Sequence, residues 1–213
     1  MTRAELLAAS ARGILFSTPM VQAILSGQKT RTMRVMNPQP PWGRPVVNSE
    51  SAVNPIWKTW TAGLPLECQP QHRVGDIIYV RETWGIGIQL AGGVIYKADY
   101  AEGKAPLADG EKWRPSIHMP KAAARIFLRI TDVKVQRPQE LTMDEIVAEG
   151  VICPIEKTCM CENDDYMDCK SYRGEWVKLW DSVQSKKDLP LYGYQANPWC
   201  FAYLFEKVVP DDQ

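Results

Sequence analysis

"RIFLRITDVKVQRPQELTMDEIVAEG" (residues 125–150) holds a strand and a helix back to back, and both periods are legible in the letters. Ile126, Leu128 and Ile130 alternate against basic neighbours, which is the period of two of a strand with one wet face. From Leu141 onward the spacing changes. Thr142 and Glu145 stand three apart as a capping box, Leu141 is placed to staple onto Ile146, and Gly150 supplies the stop. A half-wet strand running straight into a short, firmly bounded helix predicts an α+β chain.

Working outward, the same signals recur without βαβ regularity. A short helix is expected near the N-terminus. "ILFSTPM" (14–20) reads as a strand entering a helix, with Ser17 or Thr18 as cap, Pro19 at the first helical position and Gly27 as the end. "GDIIYVRETW" (75–84) reads as a turn and a buried strand, and "GGVIYKADY" (92–100) as another. Residues 37–73 carry so much proline and tryptophan that no regular structure is expected there. "EWVKLWDSV" (175–183) sets Trp176, Leu179, Trp180 and Val183 at helical spacing. "PWCFAYLFEKVV" (198–209) alternates as a half-buried strand. Strands scattered among short helices point to a small mixed β-barrel with flanking helices and long loops.

The composition excludes some classes and leaves others. At 213 residues, 45% hydrophobic and 23% charged, the chain is that of a globular protein able to bury a core. No apolar run approaches the ~20 residues of a membrane span. Glu5 interrupts the only short apolar stretch at the start, which argues against a secretion signal, so a cytoplasmic protein is expected. Net charge is zero, yet residues 1–50 carry six Lys/Arg against two acids and residues 113–137 six against one. Two basic segments folded together would make a local anion-attracting face.

Several residues carry chemistry. In "ILSGQKTRTMR" (24–34) Gly27 breaks a helix, and the extended run that follows puts Thr30, Thr32 and Arg34 on one face. In an ideal strand Lys29 points away from Thr32, so pairing the two needs an irregular turn after Gly27, and a polar strand start with solvated bases is the alternative. A threonine hydroxyl becomes a nucleophile when a base takes its proton, and a lysine of lowered basicity is such a base. Glu149 sits in the last turn of its helix, where the macrodipole disfavours an acid unless a cation lies near. Cys153, Cys159, Cys161 and Cys169 fall within seventeen residues. In a cytoplasmic protein that density favours one structural Zn²⁺ over disulfides, although the spacing is not that of paired C-x-x-C zinc ribbons and unligated thiols are the alternative. His118 in "WRPSIHMP" either meets a ligand or is fixed within its loop. Trp84, Trp113 and Trp199 either stack on a base or anchor the core.

Taken in order, "ILSGQKTRTMR", "GDIIYVRETW", "LTMDEIVAEG" and "NPWCFAYLFE" resemble the ASCH domain, a branch of the PUA-like β-barrels, and are most similar to ASCH-domain proteins carried by phages and prophages. The resemblance implies one PUA-like domain over 1–213 with insertions at about 37–74, 85–120 and 151–195. It also implies a nucleoside or RNA ligand. One bacterial branch hydrolyses the acetyl amide of N4-acetylcytidine with a lysine, a threonine and a glutamate. Carried over, these fall on Lys29, Thr32 and Glu149, and Thr30, Arg31, Arg34, Arg81, Glu82, His118 and Arg125 become ligand-binding candidates. Three functions follow as expectations: an amidohydrolase of acylated cytidine, a module that binds RNA or a modified base without chemistry, and an inhibitor that docks on a host protein.

Overall fold

The capping box read at Thr142 and Glu145 is closed in the computed structural model, which describes residues 1–10, 12–40, 45–48, 56–61, 64–88, 93–100, 107, 110–152 and 170–211. Thr142 Oγ1 accepts from the Glu145 N–H at 3.3 Å, and Glu145 Oε2 accepts from the Thr142 N–H at 3.0 Å. Two of the donors that a helix start leaves unpaired are thereby met.

Along the chain run α1 (Arg3–Ala9), β1 (Gly13–Leu15), α2 (Thr18–Leu25), β2 (Arg31–Val35), β3 (Val46–Asn48), β4 (Ile56–Thr61) and β5 (Leu64–Cys68). They are followed by β6 (Ile77–Arg81), β7 (Trp84–Ile86), β8 (Val94–Tyr96), β9 (Phe127–Gln136), α3 (Met143–Ala148), α4 (Lys170–Ser182), α5 (Leu189–Tyr192) and β10 (Cys200–Val208). The fold is α+β. Five strands make a mixed sheet in the order β1-β6-β9-β10-β2, three make a sheet β3-β4-β5, and two pair as β7-β8. Within the mixed sheet β1 runs parallel to β6, while β6 with β9 and β10 with β2 are antiparallel.

The chain divides into two compact units: Met1–Gly27 with Gly75–Ile130 and Phe205–Gln213, and Gln28–Val74 with Thr131–Leu204. In the first, Leu6, Trp84, Met119, Ala123, Ala124 and Phe127 form a buried cluster. Here α2 starts at Thr18, so Pro19 is its second residue and not its first as read, and Ser17 stands at the cap position without a side-chain hydrogen bond. Gly27 ends the helix as read, at φ +81°, a conformation costly for any residue with a Cβ. In the second unit α3 and α4 bring Leu141, Met143, Ile146, Trp176 and Trp180 onto Met33 of β2 and Cys200 and Ala202 of β10.

Four expectations are corrected. Residues 37–73 are not free of regular structure, because β3, β4 and β5 lie within them. "IWKTWT" is a run of strand formers, and Pro65 falls on β5, at one end of its sheet's order, the position in a sheet where proline is tolerated. Ile126, Leu128 and Ile130 are buried as read, but the alternation does not continue in one parity along β9, where the next buried residues are Val133 and Val135. Between Ile130 and Val133, Asp132 Oδ1 accepts the Val133 N–H at 2.8 Å, so that donor is met by a side chain. The first part of β10 is not half-buried, since Cys200, Phe201, Ala202 and Tyr203 are all buried, Cys200 and Ala202 in the helix-facing cluster and Tyr203 against the His72 ring. Val183 is 64% exposed, because α4 has already ended at Ser182.

Candidate functional site

Strand β2 sorts the residues of the opening basic run. It pairs with β10 so that Thr32 stands opposite Tyr203, Arg34 opposite Phe201, and Met33 opposite Ala202. Directly opposed residues of an antiparallel pair share a face, so Thr32, Arg34, Tyr203 and Phe201 lie on one side. Met33, Cys200 and Ala202 lie on the other and pack under α3 and α4.

The segment before β2 is tied to the end of α3 at two points. The Thr30 N–H donates to Ala148 O at 3.0 Å, and Gln28 Nε2 donates to Val151 O at 2.9 Å. Between these anchors the side chain of Lys29 is delivered to the helix terminus. Its Nζ donates to the Glu149 carbonyl oxygen at 2.5 Å and meets Glu149 Oε2 at 3.0 Å. Gly150 follows at φ +88°, which turns the chain away after Glu149 and needs a residue without a Cβ.

Arg31 completes the charge cluster. Its Nε reaches Glu149 Oε1 at 3.3 Å, one terminal nitrogen pairs with Glu145 Oε1 at 2.6 Å, and the other donates to Gln136 Oε1 at 3.0 Å. Gln136 in turn donates to Glu145 Oε2 at 2.8 Å. Lys29, Arg31 and Glu149 are each 3% exposed and Thr32 is 2% exposed, so the network is almost dry. An acid at a helix C-terminus is tolerated here because two cations meet it.

Burial is the largest influence on the ionisation of Lys29, Arg34 and Cys200. It pulls the Lys29 ammonium below the usual lysine range; Glu149 works against that pull, while Arg34 and Arg31 add to it. It also works against the charge of Arg34, opposed by Glu149 and Tyr203. It pushes the Cys200 thiol well up, reinforced by the Glu149 charge, which leaves that thiol inert. Glu145 behaves differently: burial raises it, but the Thr142 N–H, Gln136 and Arg31 together hold its carboxyl below the ordinary glutamate value.

On the opposite face Arg34 donates from one nitrogen to Thr32 Oγ1 at 2.7 Å and to the Met33 carbonyl oxygen at 2.8 Å. The Tyr203 hydroxyl accepts the Gln71 N–H at 3.0 Å, and its ring meets that of His72 edge-on at 5.4 Å. Tyr203, His72, Gln136 and Glu145 were not among the residues singled out as site members from the sequence. Glu145 stood out only as half of a capping box, and Tyr203 only as one apolar position of a terminal strand.

The structure thus brings Lys29, Arg31 and Glu149 into one network and Thr32 with Arg34 into another contact, all within the second unit. Thr30 lies exposed beside them. Arg81, Glu82, His118 and Arg125 belong to the first unit. There the Arg125 guanidinium makes two bonds to buried Glu82, at 2.9 and 3.0 Å, and two to Asp99, at 2.7 and 2.9 Å, over the Tyr96 ring at 3.9 Å. Burial raises the Glu82 carboxyl, with Arg125 opposing it. Arg81 donates to the Ile117 carbonyl oxygen, and His118 is exposed. The charge of Arg125 is therefore met by protein carboxylates, which makes it a clamp on Glu82 and Asp99.

Trp84, Trp199 and Trp113 each have a side chain of the protein against the ring. Arg114 lies 4.9 Å from the Trp84 ring, Arg137 lies 4.4 Å from the Trp199 ring, and Trp113 is tilted against Tyr100 at 6.3 Å. Cys153, Cys159, Cys161 and Cys169 lie outside the described residues. Among the described residues no group of three or more His, Cys, Asp or Glu side chains is placed to hold a metal ion, and Cys68 and Cys200 are buried free thiols. No helix among them is long and apolar enough to cross a membrane.

No family model, curated protein or solved structure matches this chain.

Proposed function

We propose that the protein is a nucleoside-directed amidohydrolase of the ASCH kind, acting on an acylated cytidine. The observation that carries the proposal is the buried Lys29–Glu149 pair, in which a lysine of lowered basicity is held three residues before Thr32. Lys29 in its amine form takes the proton of Thr32 Oγ1 as that oxygen bonds to the acyl carbonyl carbon. The carbon–nitrogen bond then breaks, and the proton passes from Lys29 to the departing cytosine amine. Water cleaves the resulting threonine ester, releasing the carboxylic acid and restoring the hydroxyl. Glu149 holds the lysine in place and offsets the ammonium that forms between the two proton transfers. On this proposal the mixed sheet is the framework of a PUA-like barrel.

The test is release of cytidine and acetate from N4-acetylcytidine by the purified protein. Turnover is expected, with a loss of about 100- to 10,000-fold in Lys29→Ala, the usual worth of a general base. Because the base acts only without its proton, kcat/KM should rise with pH and level off below the ~10.4 of a free lysine. Glu149→Gln removes the interaction that opposes the pull of burial, so it should move that rise to lower pH. Absence of turnover by the wild type would overturn the proposal. A second reading, recognition of RNA or a modified base without reaction, is favoured by the burial of Thr32 beneath the Arg34 contact. It requires salt-sensitive binding by a protein that does not turn over.

The four clustered cysteines are assigned to one structural zinc. Protein purified without chelator should carry about one zinc per chain, with Cys153, Cys159, Cys161 and Cys169 slow to react with thiol reagents. Zinc-free protein whose thiols in that segment all react would refute the assignment.

A further inference from the structure

We infer that Arg34 is the residue that orients the atom at position 32 and makes it acidic, acting directly on the nucleophile oxygen. Its catalytic meaning rests on the proposed hydrolysis, but the electrostatic effect does not.

Thr32 and Arg34 are two apart on β2, so their side chains rise from the same face, and the contact is built into the strand. The two hydrogens of one guanidinium nitrogen are both committed, one to Thr32 Oγ1 at 2.7 Å and one to the Met33 carbonyl oxygen at 2.8 Å. The main-chain bond fixes where the other hydrogen points. A threonine hydroxyl carries one hydrogen and two lone pairs, so an oxygen that accepts from Arg34 must direct its own hydrogen elsewhere. An arginine does not take up that proton, because it stays charged. What it supplies is a positive donor against the oxygen, and a charge-assisted bond at a buried atom strengthens as negative charge develops there. Tyr203, opposite Thr32 on β10, is pinned through its hydroxyl to Gln71 and flanks the same face. Among the titratable groups that bear on Arg34 are Glu149, Tyr203 and Lys29.

The test replaces the hydroxyl by a group whose ionisation is visible. In Thr32→Cys, thiolate absorbance followed against pH, with the wild-type curve subtracted, reports the acidity of the atom at position 32 and needs no reagent to enter. Adding Arg34→Met should leave at least tenfold less thiolate at a given pH, and Arg34→Lys should restore part of it. Melting curves identify any variant that does not fold, and Arg34→Gln then takes the place of Arg34→Met. Superimposed titrations with and without Arg34 would overturn the inference. The two failures are separable. If the wild type does not hydrolyse N4-acetylcytidine but the titrations differ, the hydrolysis proposal falls and the role of Arg34 stands. If the wild type turns over and Arg34→Met changes neither kcat nor the titration, the inference falls alone.

Discussion

Glu149→Ala should destabilise the protein by about 3–5 kcal/mol, the usual result of removing one partner from a buried ion pair. Glu149 is the carboxylate shared by Lys29 at 3.0 Å and Arg31 at 3.3 Å, and all three side chains are almost completely excluded from water. Arg31 keeps Glu145 and Gln136 after the change, so its own loss is partial. Lys29 keeps the main-chain oxygen of residue 149 but loses the charge that opposed the effect of burial. The sign with pH follows from that. The folded-state pKa of Lys29 lies below its unfolded value, so the unfolded chain binds a proton that the folded chain sheds, and stability rises with pH between the two values. Removing Glu149 lowers the folded value further. The deficit of Glu149→Ala should therefore be largest at neutral pH and shrink as the solution approaches the ~10.4 of an unfolded lysine. Urea denaturation at a series of pH values measures this. A deficit below about 1 kcal/mol, or one that grows with pH, would show that the pair does not act as described.

Trp176→Ala should cost a similar amount, about 3–5 kcal/mol, as large-to-small changes of buried aromatic residues do. Trp176 is fully buried in the cluster that joins α3 and α4 to β2 and β10, with its ring tilted on Trp180 at 5.4 Å. Its indole N–H donates to the Pro138 carbonyl oxygen at 3.0 Å, just ahead of the capped start of α3. Alanine would leave both a cavity and a buried acceptor without its donor. Trp176→Phe should cost less, because most of the volume stays and only the hydrogen bond is lost. The functional consequence is indirect. This cluster holds the helix that ends in Glu149 against the strand that carries Arg31, so Trp176→Ala should also weaken turnover if the proposed reaction is correct. Equal stability of Trp176→Ala and wild type in urea would mean that the cluster is not the support of α3.

Much of the site was legible where its causes are local. The Thr142–Glu145 box, the stop at Gly150 and the stop of α2 at Gly27 each depend on groups three or four residues apart, so the letters carry them. The oddness of Glu149 was local too: an acid at a helix C-terminus calls for a cation. The letters named the need and could not name the partner. Lys29 and Arg31 stand 120 and 118 residues away in the chain, and only folding brings them to Glu149.

The sequence by itself determined the presence of α1, α2, α3 and α4, the stops at Gly27 and Gly150, most strands of the mixed sheet and the unusual charge at residue 149, because caps, turns and periods act over a few bonds. Tertiary structure decided the rest. It buried both faces of β10 at Cys200–Tyr203, formed strands from the proline-rich stretch, and left Val183 outside the helix. It also sorted the basic run, sending Lys29 and Arg31 to Glu149 and Arg34 to Thr32. That sorting depends on which strand pairs with β2 and which helix covers it. Both are set by burial of surface between segments far apart in the chain, which no local pattern encodes.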